Sequence, residues 1–217
     1  MKELARIFET YLMVLVHPFQ IHHQFRHNVT LPGHQERYAP LKLAEALGVS
    51  WLFAIFRGMG KILLINIFLY SFFNTQIESF PFVRDFIVSS GISTYSLLIF
   101  WASIDIIFFP VATLVMVEIW NWVIRLYAGW LNPELPREEI ADQITTHSLS
   151  ANLIFMIPII GDIFQRFVFL FLLYAGLRAN LGASKSLAIV ILLTPTLIGF
   201  AVLMLLALFL FCLVSLI

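Results

Sequence analysis

The sequence predicts an all-α fold: a polytopic membrane helical bundle of about five transmembrane helices, preceded by an amphipathic N-terminal helix. The first observation is composition, because 60% of the 217 residues are apolar and 12% are charged. A soluble domain carries about 45–50% apolar and about 25% charged residues, so this chain has too few polar groups to cover a surface in water. The second observation is that several apolar stretches approach the roughly 20 residues that a bilayer-spanning helix needs.

Composition also excludes several classes of protein. The 13 Lys and Arg residues balance 13 Asp and Glu residues, so the basic surface of a nucleic-acid-binding protein is missing. Cys212 is the single cysteine, which excludes an intramolecular disulfide and a zinc site built from several cysteines. The sequence contains no nucleophile–base pair, phosphate-binding glycine loop or zinc-protease motif. We therefore expect neither an enzyme nor a bound cofactor.

Residues 1–41 are predicted to form an N-terminal amphipathic helix and a histidine-containing interfacial loop. Apolar side chains recur at helical spacing through residues 4–16, with charged residues on the opposite side. This pattern is typical of a helix that lies in the headgroup plane of a membrane. Acidic and bulky residues interrupt the pattern that a cleavable signal peptide requires. We expect Pro18 to end the helix and residues 19–41 to form a polar loop.

Histidines make this loop a candidate metal site. His22, His23 and His27 are the candidate ligands, because His23 and His27 are four residues apart and would share a helix face. Arg26 stands among them and repels a cation, and no cysteine or adjacent carboxylate joins them. We favour an interfacial loop whose charge adjusts with pH, and metal binding is the alternative.

Residues 42–217 are predicted to form the membrane domain, with a first crossing at about residues 54–73. Arg57 and Lys61 lie one turn apart near one face of the bilayer. Two cations on an apolar helix face attract the phosphates of anionic lipid headgroups. Alternatively, the two side chains snorkel, with their stems buried and their charges in the interface. The sequence leaves both interpretations open.

The second predicted crossing covers residues 93–125, with Pro110 in its middle. Its length exceeds the bilayer thickness, so we predict one kinked helix rather than two short crossings. Asp105 precedes Pro110 by about one turn, at a depth where a carboxylate is costly and normally paired or facing water. Either an ion or proton path or a buried structural pair would use such a residue. Its candidate partners are three cations of other segments: Arg57, Lys61 and Arg166.

Two further groups of polar residues stand out in the membrane domain. Glu118, Asn121 and Arg125 form a stripe at helical spacing, which predicts an intrahelical bridge or a contact with the next helix. Asp162 and Arg166 are four residues apart at a tight turn, where we expect them to pair and to satisfy the turn.

Three more crossings follow in the second half of the chain. The third is residues 149–160 with a polar lead-in from Gln143, the fourth is residues 164–177, and the fifth is residues 186–217. The fifth is the strongest prediction, because its 32 residues contain no charge.

Basic residues in short loops predict the orientation of these crossings. If the N-terminus is cytoplasmic, nine basic residues fall on the cytoplasmic side and two on the other, with Arg57 and Lys61 left aside as membrane-embedded or interfacial. The nine are Lys2, Arg6, Arg26, Arg37, Lys42, Arg125, Arg137, Arg178 and Lys185, and the two are Arg84 and Arg166. We therefore predict a cytoplasmic N-terminus and a C-terminus on the outer side.

Three segments of the second half occur in a recognisable order. Residues 157–164 read Ile-Pro-Ile-Ile-Gly-Asp-Ile-Phe, residues 174–178 read Tyr-Ala-Gly-Leu-Arg, and residues 181–188 read Leu-Gly-Ala-Ser-Lys-Ser-Leu-Ala. With the His-Pro-Phe of residues 17–19, they resemble the Yip (Ypt/Rab-interacting protein) domain family of five-span membrane proteins, in its prokaryotic type. The resemblance implies a bacterial inner-membrane protein that acts in membrane organisation or trafficking-like roles.

The sequence is therefore compatible with three functions. The first is a non-enzymatic Yip-type membrane protein that acts through membrane lipids, a second copy of itself or another membrane protein, without nucleic acid. The alternative is a small-solute or ion transporter or channel, oligomeric, with Asp105 as its intramembrane carboxylate. The third is a metal handler or membrane-embedded enzyme that uses the histidine loop.

Overall fold

The structure, a computed structural model, describes residues 2–27, 40–76, 94–131, 134, 136–157 and 160–215. These residues form seven α-helices and one 3₁₀ helix, and none of them lies in a strand, which confirms the all-α prediction. The helices are α1 Lys2–Val16, α2 Pro18–His27, α3 Leu43–Gln76, α4 Thr94–Leu131, α5 Arg137–Ser148, the 3₁₀ helix Leu149–Met156, α6 Gly161–Ala179 and α7 Lys185–Ser215.

Three of these helices are long and apolar enough to cross a membrane. The candidate spans are Leu43–Leu64 in α3, Ile99–Leu131 in α4 and Lys185–Cys212 in α7. In the most apolar window of the α7 span only 6% of the residues are buried. An exposed apolar surface of that size is stable in lipid and not in water. These three helices indicate an integral membrane protein.

Helix α4 is one continuous helix that contains Pro110. The prediction of a single helix is therefore confirmed, and the alternative of two short crossings is wrong. At 1.5 Å per residue its 38 residues extend about 57 Å, well beyond the ~30 Å of a bilayer core. The helix is therefore longer than a single perpendicular crossing requires.

The N-terminal segment is more helical than its sequence predicts. Residues 18–27 form α2, where the sequence predicts a loop, and residues 28–39 lie outside the described part of the chain. Pro18 is the first residue of α2, a position where its fixed φ favours a helix. Ile21 is fully buried, so packing against the bundle stabilises a helix that the polar composition of this segment conceals.

Helix α1 is helical as predicted, and its apolar face packs against α3. Tyr11 and Val14 are fully buried. The Tyr11 hydroxyl donates to the Ala46 carbonyl oxygen at 2.6 Å and lies 3.0 Å from the Ser50 hydroxyl. Ser50 is also fully buried, so this polar residue in the first half of α3 faces the protein interior.

The segment predicted as the third crossing contains two kinds of helix, and it is not among the three candidate spans found in the described residues. Helix α5 begins at Arg137 and continues directly into the 3₁₀ helix that ends at Met156. Several of its buried polar side chains bond to neighbouring backbone, such as the Ser148 hydroxyl, which donates to the Ile144 carbonyl oxygen at 2.7 Å. This segment lies in the interior between α3, α4 and α6, and it ends beside the residues described next.

Candidate functional site

Four charged residues from three helices form one ion-pair cluster, called the charged cluster below: Arg57, Lys61, Asp105 and Asp162. Arg57 pairs with Asp105, and its Nη1 lies 3.6 Å from Asp162 Oδ1. Lys61 Nζ lies 2.5 Å from Asp162 Oδ2 and 3.9 Å from Asp105 Oδ2. Each cation therefore contacts both carboxylates, and the cluster connects α3, α4 and α6.

Local geometry explains how the chain brings these side chains together. Arg57 and Lys61 are four residues apart and share one face of α3. Asp162 lies in the first turn of α6, where the helix dipole favours a negative charge. A Cβ at Gly161 would lie 2.4 Å from the Ile154 carbonyl oxygen. Only glycine therefore permits the close approach that places Asp162 beside α3.

Arg57 is the most enclosed member of the charged cluster. Its side chain is 12% exposed, compared with 47% for Asp105 and 36% for Asp162. Its guanidinium carbon lies 4.4 Å from the centre of the Phe155 ring and 5.9 Å from that of Phe109. Such cation–π contacts stabilise a cation that has lost part of its hydration. Arg57 is therefore held in place, whereas the two carboxylates remain accessible.

Two cavities border the charged cluster. One, of about 360 Å³, is lined by Arg57, Lys61, Asp105, Asp162, Arg166, Asn152, Gln165, Thr113, Phe109, Ala112, Met116 and Phe155. The other, of about 550 Å³, is more apolar and is lined by Arg57, Lys61, Asp105, Trp101, Ala102, Ile104, Phe108, Phe109 and Ala112. The smaller cavity therefore combines charges and amides with aromatic walls.

Arg166 gives the smaller cavity an excess of positive charge. Its side chain is exposed, and it has no ion pair or hydrogen bond within the described ranges. Three cations and two carboxylates line this cavity, which leaves one formal positive charge. The arrangement is suited to an anion that accepts hydrogen bonds from Arg166 and Lys61.

The structure brings together five residues that the sequence presents separately. Arg57 and Lys61 do neutralise Asp105, as the sequence analysis allows, but Arg166 does not. The predicted ion pair between Asp162 and Arg166 is wrong, because Asp162 pairs with α3 instead. A contact between distant helices replaces the local one.

The position of Arg57 and Lys61 along α3 also differs from the prediction. Both lie on α3, which covers Leu43–Gln76. Among the described residues the candidate span in this helix is Leu43–Leu64, so it begins before the predicted residue 54.

The residues of the predicted stripe on α4 have two different surroundings. Asn121 Nδ2 and Arg125 Nη2 contact Asp142 Oδ1 on α5 at 2.8 and 3.2 Å. This confirms the expected contact with the next helix. Glu118 takes no part in this contact and lines an apolar groove between α4 and α7. It belongs to neither the stripe contact nor the charged cluster.

The three candidate metal ligands do not converge, because His22 lies apart from the other two. His22 is fully buried, whereas His23 and His27 are exposed, with ring centres 4.4 Å apart. Across the described residues no group of three or more His, Cys, Asp or Glu side chains is placed to hold a metal ion. Helix α2 separates the three because residues 22 and 23 point about 100° apart on a helix.

His22 instead faces His147, a residue that the sequence analysis missed. The two rings are 5.8 Å apart and both side chains are fully buried. His147 Nε2 accepts from the Leu41 backbone N–H at 3.2 Å, so Nδ1 carries the proton and donates to the Gln143 carbonyl oxygen at 2.6 Å. Neither nitrogen of His22 has a hydrogen-bond partner within the described structure. The one signal for His147 is its helical spacing from Ile140 and Ile144, which are also buried.

Burial lowers the pKa of His22, because it disfavours the charged imidazolium. This pKa falls from 6.5 to about 3 through burial and the nearby His147. The His22 ring is therefore neutral near pH 7.

Asn152 and Gln165 are further site residues that the sequence analysis did not assign to the cavity. Gln165 Nε2 donates to Asn152 Oδ1 at 2.8 Å, which joins the 3₁₀ helix to α6 beside the charged cluster. In the sequence, each of them is marked only as an amide side chain within an apolar segment.

The fold and the charged cluster define an all-helical membrane protein with an ion-paired site between its helices. No protein-family model, curated protein or solved structure matches the chain.

Proposed function

We propose that this protein is a non-enzymatic, Yip-type integral membrane protein that binds the phosphodiester headgroup of a phospholipid at the charged cluster. The observation that carries the proposal is the excess cation in the 360 Å³ cavity, between two candidate membrane spans and the start of α6. A phosphodiester has one negative charge, which matches the single unbalanced positive charge of the lining.

The donors are placed for such a ligand. Arg166 is exposed on the cavity, and Lys61 retains 31% exposure beside its two carboxylates. Arginine binds phosphate through its planar fork, and lysine binds it as a point charge. The amide side chains of Asn152 and Gln165 add polar groups to the same wall. The apolar walls accommodate the glycerol and the first methylene groups of the lipid.

The proposal includes five crossings. Helix α5 and the 3₁₀ helix together extend about 34 Å, and the 19 residues of α6 extend about 28 Å. Both lengths are close to the ~30 Å of a bilayer core. With a cytoplasmic N-terminus in a bacterial inner membrane, the charged cluster lies near the outer surface, where lipid phosphates are found.

Lipid retention by the purified protein tests the proposal. The first variant is Arg166→Gln, because it removes a phosphate donor and leaves all ion pairs of the charged cluster intact. We expect the affinity for phosphatidylglycerol in nanodiscs or micelles to fall about tenfold, the effect of one charged hydrogen bond. Native mass spectrometry measures the bound lipid.

The matched control is Lys185→Gln, an exposed cation at the start of α7 and at the opposite end of the membrane domain. It should retain the affinity of the unmodified protein. Equal losses for both variants would mean that lipid binds by general charge attraction. Unchanged affinity in Arg166→Gln would refute the headgroup site.

The second candidate function is transport, and the exposure of Asp105 favours it. This carboxylate is 47% exposed and borders both cavities. Ion or solute flux in proteoliposomes that is lost in Asp105→Asn would support transport over lipid binding. Absence of flux under several gradients would remove this candidate.

A further inference from the structure

The carboxylate of Glu118 lies in an apolar groove between two candidate membrane spans. This groove, called the Glu118 groove below, has a volume of about 650 Å³ and is lined by Leu114, Val115, Glu118, Ile119, Trp122, Val123, Pro195, Ile198 and Gly199. Glu118 is the only charged residue in the lining. Its side chain is exposed and has no ion pair or hydrogen bond among the residues that the structure describes.

The position of Glu118 along α4 makes this arrangement costly in a bilayer. Glu118 is thirteen residues from Asp105 and thirteen from Leu131, or about 20 Å from each. It therefore lies well inside the candidate span Ile99–Leu131. A charged carboxylate at such depth is expensive and normally has a partner. Lipid tails provide neither charge nor hydrogen-bond donors.

The shape of the Glu118 groove suits a helix. A Cβ added at Gly199 would meet nothing within 4 Å, so the wall formed by α7 is open at this residue. Small residues permit close approach between membrane helices. The surrounding apolar side chains, such as Val115 and Ile198, are exposed, and a neighbouring helix would cover them.

A second copy of this chain does not supply the missing charge at this depth. Copies in one membrane insert in the same orientation, so each residue keeps its depth. Arg125 is about 10 Å away along α4 and already pairs with Asp142. Lys185 is farther still from Glu118 in depth. It precedes Thr194 by nine residues on α7, and the Thr194 hydroxyl contacts the hydroxyl of Tyr127, which is nine residues beyond Glu118 on α4.

We infer that the Glu118 groove binds a transmembrane helix of another protein, one that carries a Lys or Arg near the middle of its apolar stretch. The cation pairs with Glu118, and the apolar face of the partner covers the groove. This site is separate from the charged cluster and does not depend on the lipid proposal.

Energy transfer in phosphatidylcholine vesicles tests the inference. The donor dye is attached to Cys212, the single cysteine, which is exposed on α7. The acceptor is carried by a synthetic Leu/Ala transmembrane peptide with one central Lys, and a matched peptide has Leu at that position. We expect the Lys peptide to bind about tenfold more tightly than the Leu peptide, the effect of one strong interhelical polar contact.

Two variants test the groove itself. Glu118→Gln should remove the preference for the Lys peptide, and Gly199→Leu should weaken binding of both peptides by filling the groove. Glu138→Gln, an exposed carboxylate in the first turn of α5, is the matched control and should bind like the unmodified protein. Circular dichroism confirms that each variant remains helical.

Equal binding of the Lys and Leu peptides would overturn the inference, as would an unchanged preference in Glu118→Gln. Energy transfer between two labelled copies of the protein that disappears in Glu118→Gln would overturn it in favour of self-association.

Discussion

Acid should destabilise this protein through the buried His22. Its ring is fully buried where α2 meets α5 and α6, and its pKa falls to about 3. In the unfolded chain this pKa returns to about 6.5. The unfolded state therefore binds more protons than the folded state between pH 6.5 and pH 3. Stability is unaffected by this group above that window and decreases as the pH falls through it.

The magnitude follows from the size of the shifts. At pH 5 the solution is about 1.5 pH units below the pKa of an unfolded histidine, whereas the folded His22 ring remains neutral. At about 1.36 kcal/mol per unit, His22 lowers the free energy of unfolding by about 2 kcal/mol relative to pH 8. Replacing His22 by Leu removes this contribution. It removes no hydrogen bond, because neither ring nitrogen of His22 has a partner within the described structure.

The assay is unfolding by SDS in mixed micelles at pH 8 and pH 5, followed by circular dichroism. We expect His22→Leu to match the unmodified protein within about 1 kcal/mol at pH 8 and to be about 2 kcal/mol more stable at pH 5. The exposed His23→Leu is the matched control and should change neither value. The same loss of stability between pH 8 and pH 5 in His22→Leu and in the unmodified protein would refute this reasoning.

Three further predictions concern packing and ion pairing. Gly161→Ala should cost about 2–4 kcal/mol, because its Cβ would collide with backbone, whereas Gly48→Ala meets nothing within 4 Å and should be neutral or stabilising in the same unfolding assay. Tyr11→Phe should cost about 1 kcal/mol through the loss of a buried hydrogen bond, and a value near zero would contradict that role. Arg57→Met and Asp105→Asn should be non-additive by about 1–3 kcal/mol in a double-mutant cycle, and additive costs would show that the pair contributes nothing.

Local pattern was sufficient to predict most of the helices. The uncharged run at residues 186–217 and the long run around Pro110 correspond to α7 and α4. The sequence pattern did not predict α2, because its polar residues are typical of a loop. The burial of Ile21 in the bundle, which stabilises this helix, is visible only in the structure.

The charged cluster was predictable in part. The sequence predicts that Asp105 lies deep in a crossing, where a carboxylate needs a cation, and it offers few cations, so Arg57 and Lys61 were candidates on physical grounds. The contribution of Asp162 was not predictable, because it is about one hundred residues from α3 and its nearest cation in sequence is Arg166. Local spacing favours that neighbour, whereas the close approach at Gly161 directs Asp162 to α3.

Helix geometry explains why Glu118 has no partner while Asp105 has two. The two cations of α3, Arg57 and Lys61, are one turn apart, about 6 Å along the axis. The two carboxylates of α4 are thirteen residues apart, about 20 Å. Helix α3 can therefore reach only one of them, and its second cation takes Asp162 from α6. The formal charges of α3 and α4 would permit two pairs, but their spacing permits one. Among the described residues Glu118 is thus the carboxylate of α4 that is left without an ion pair.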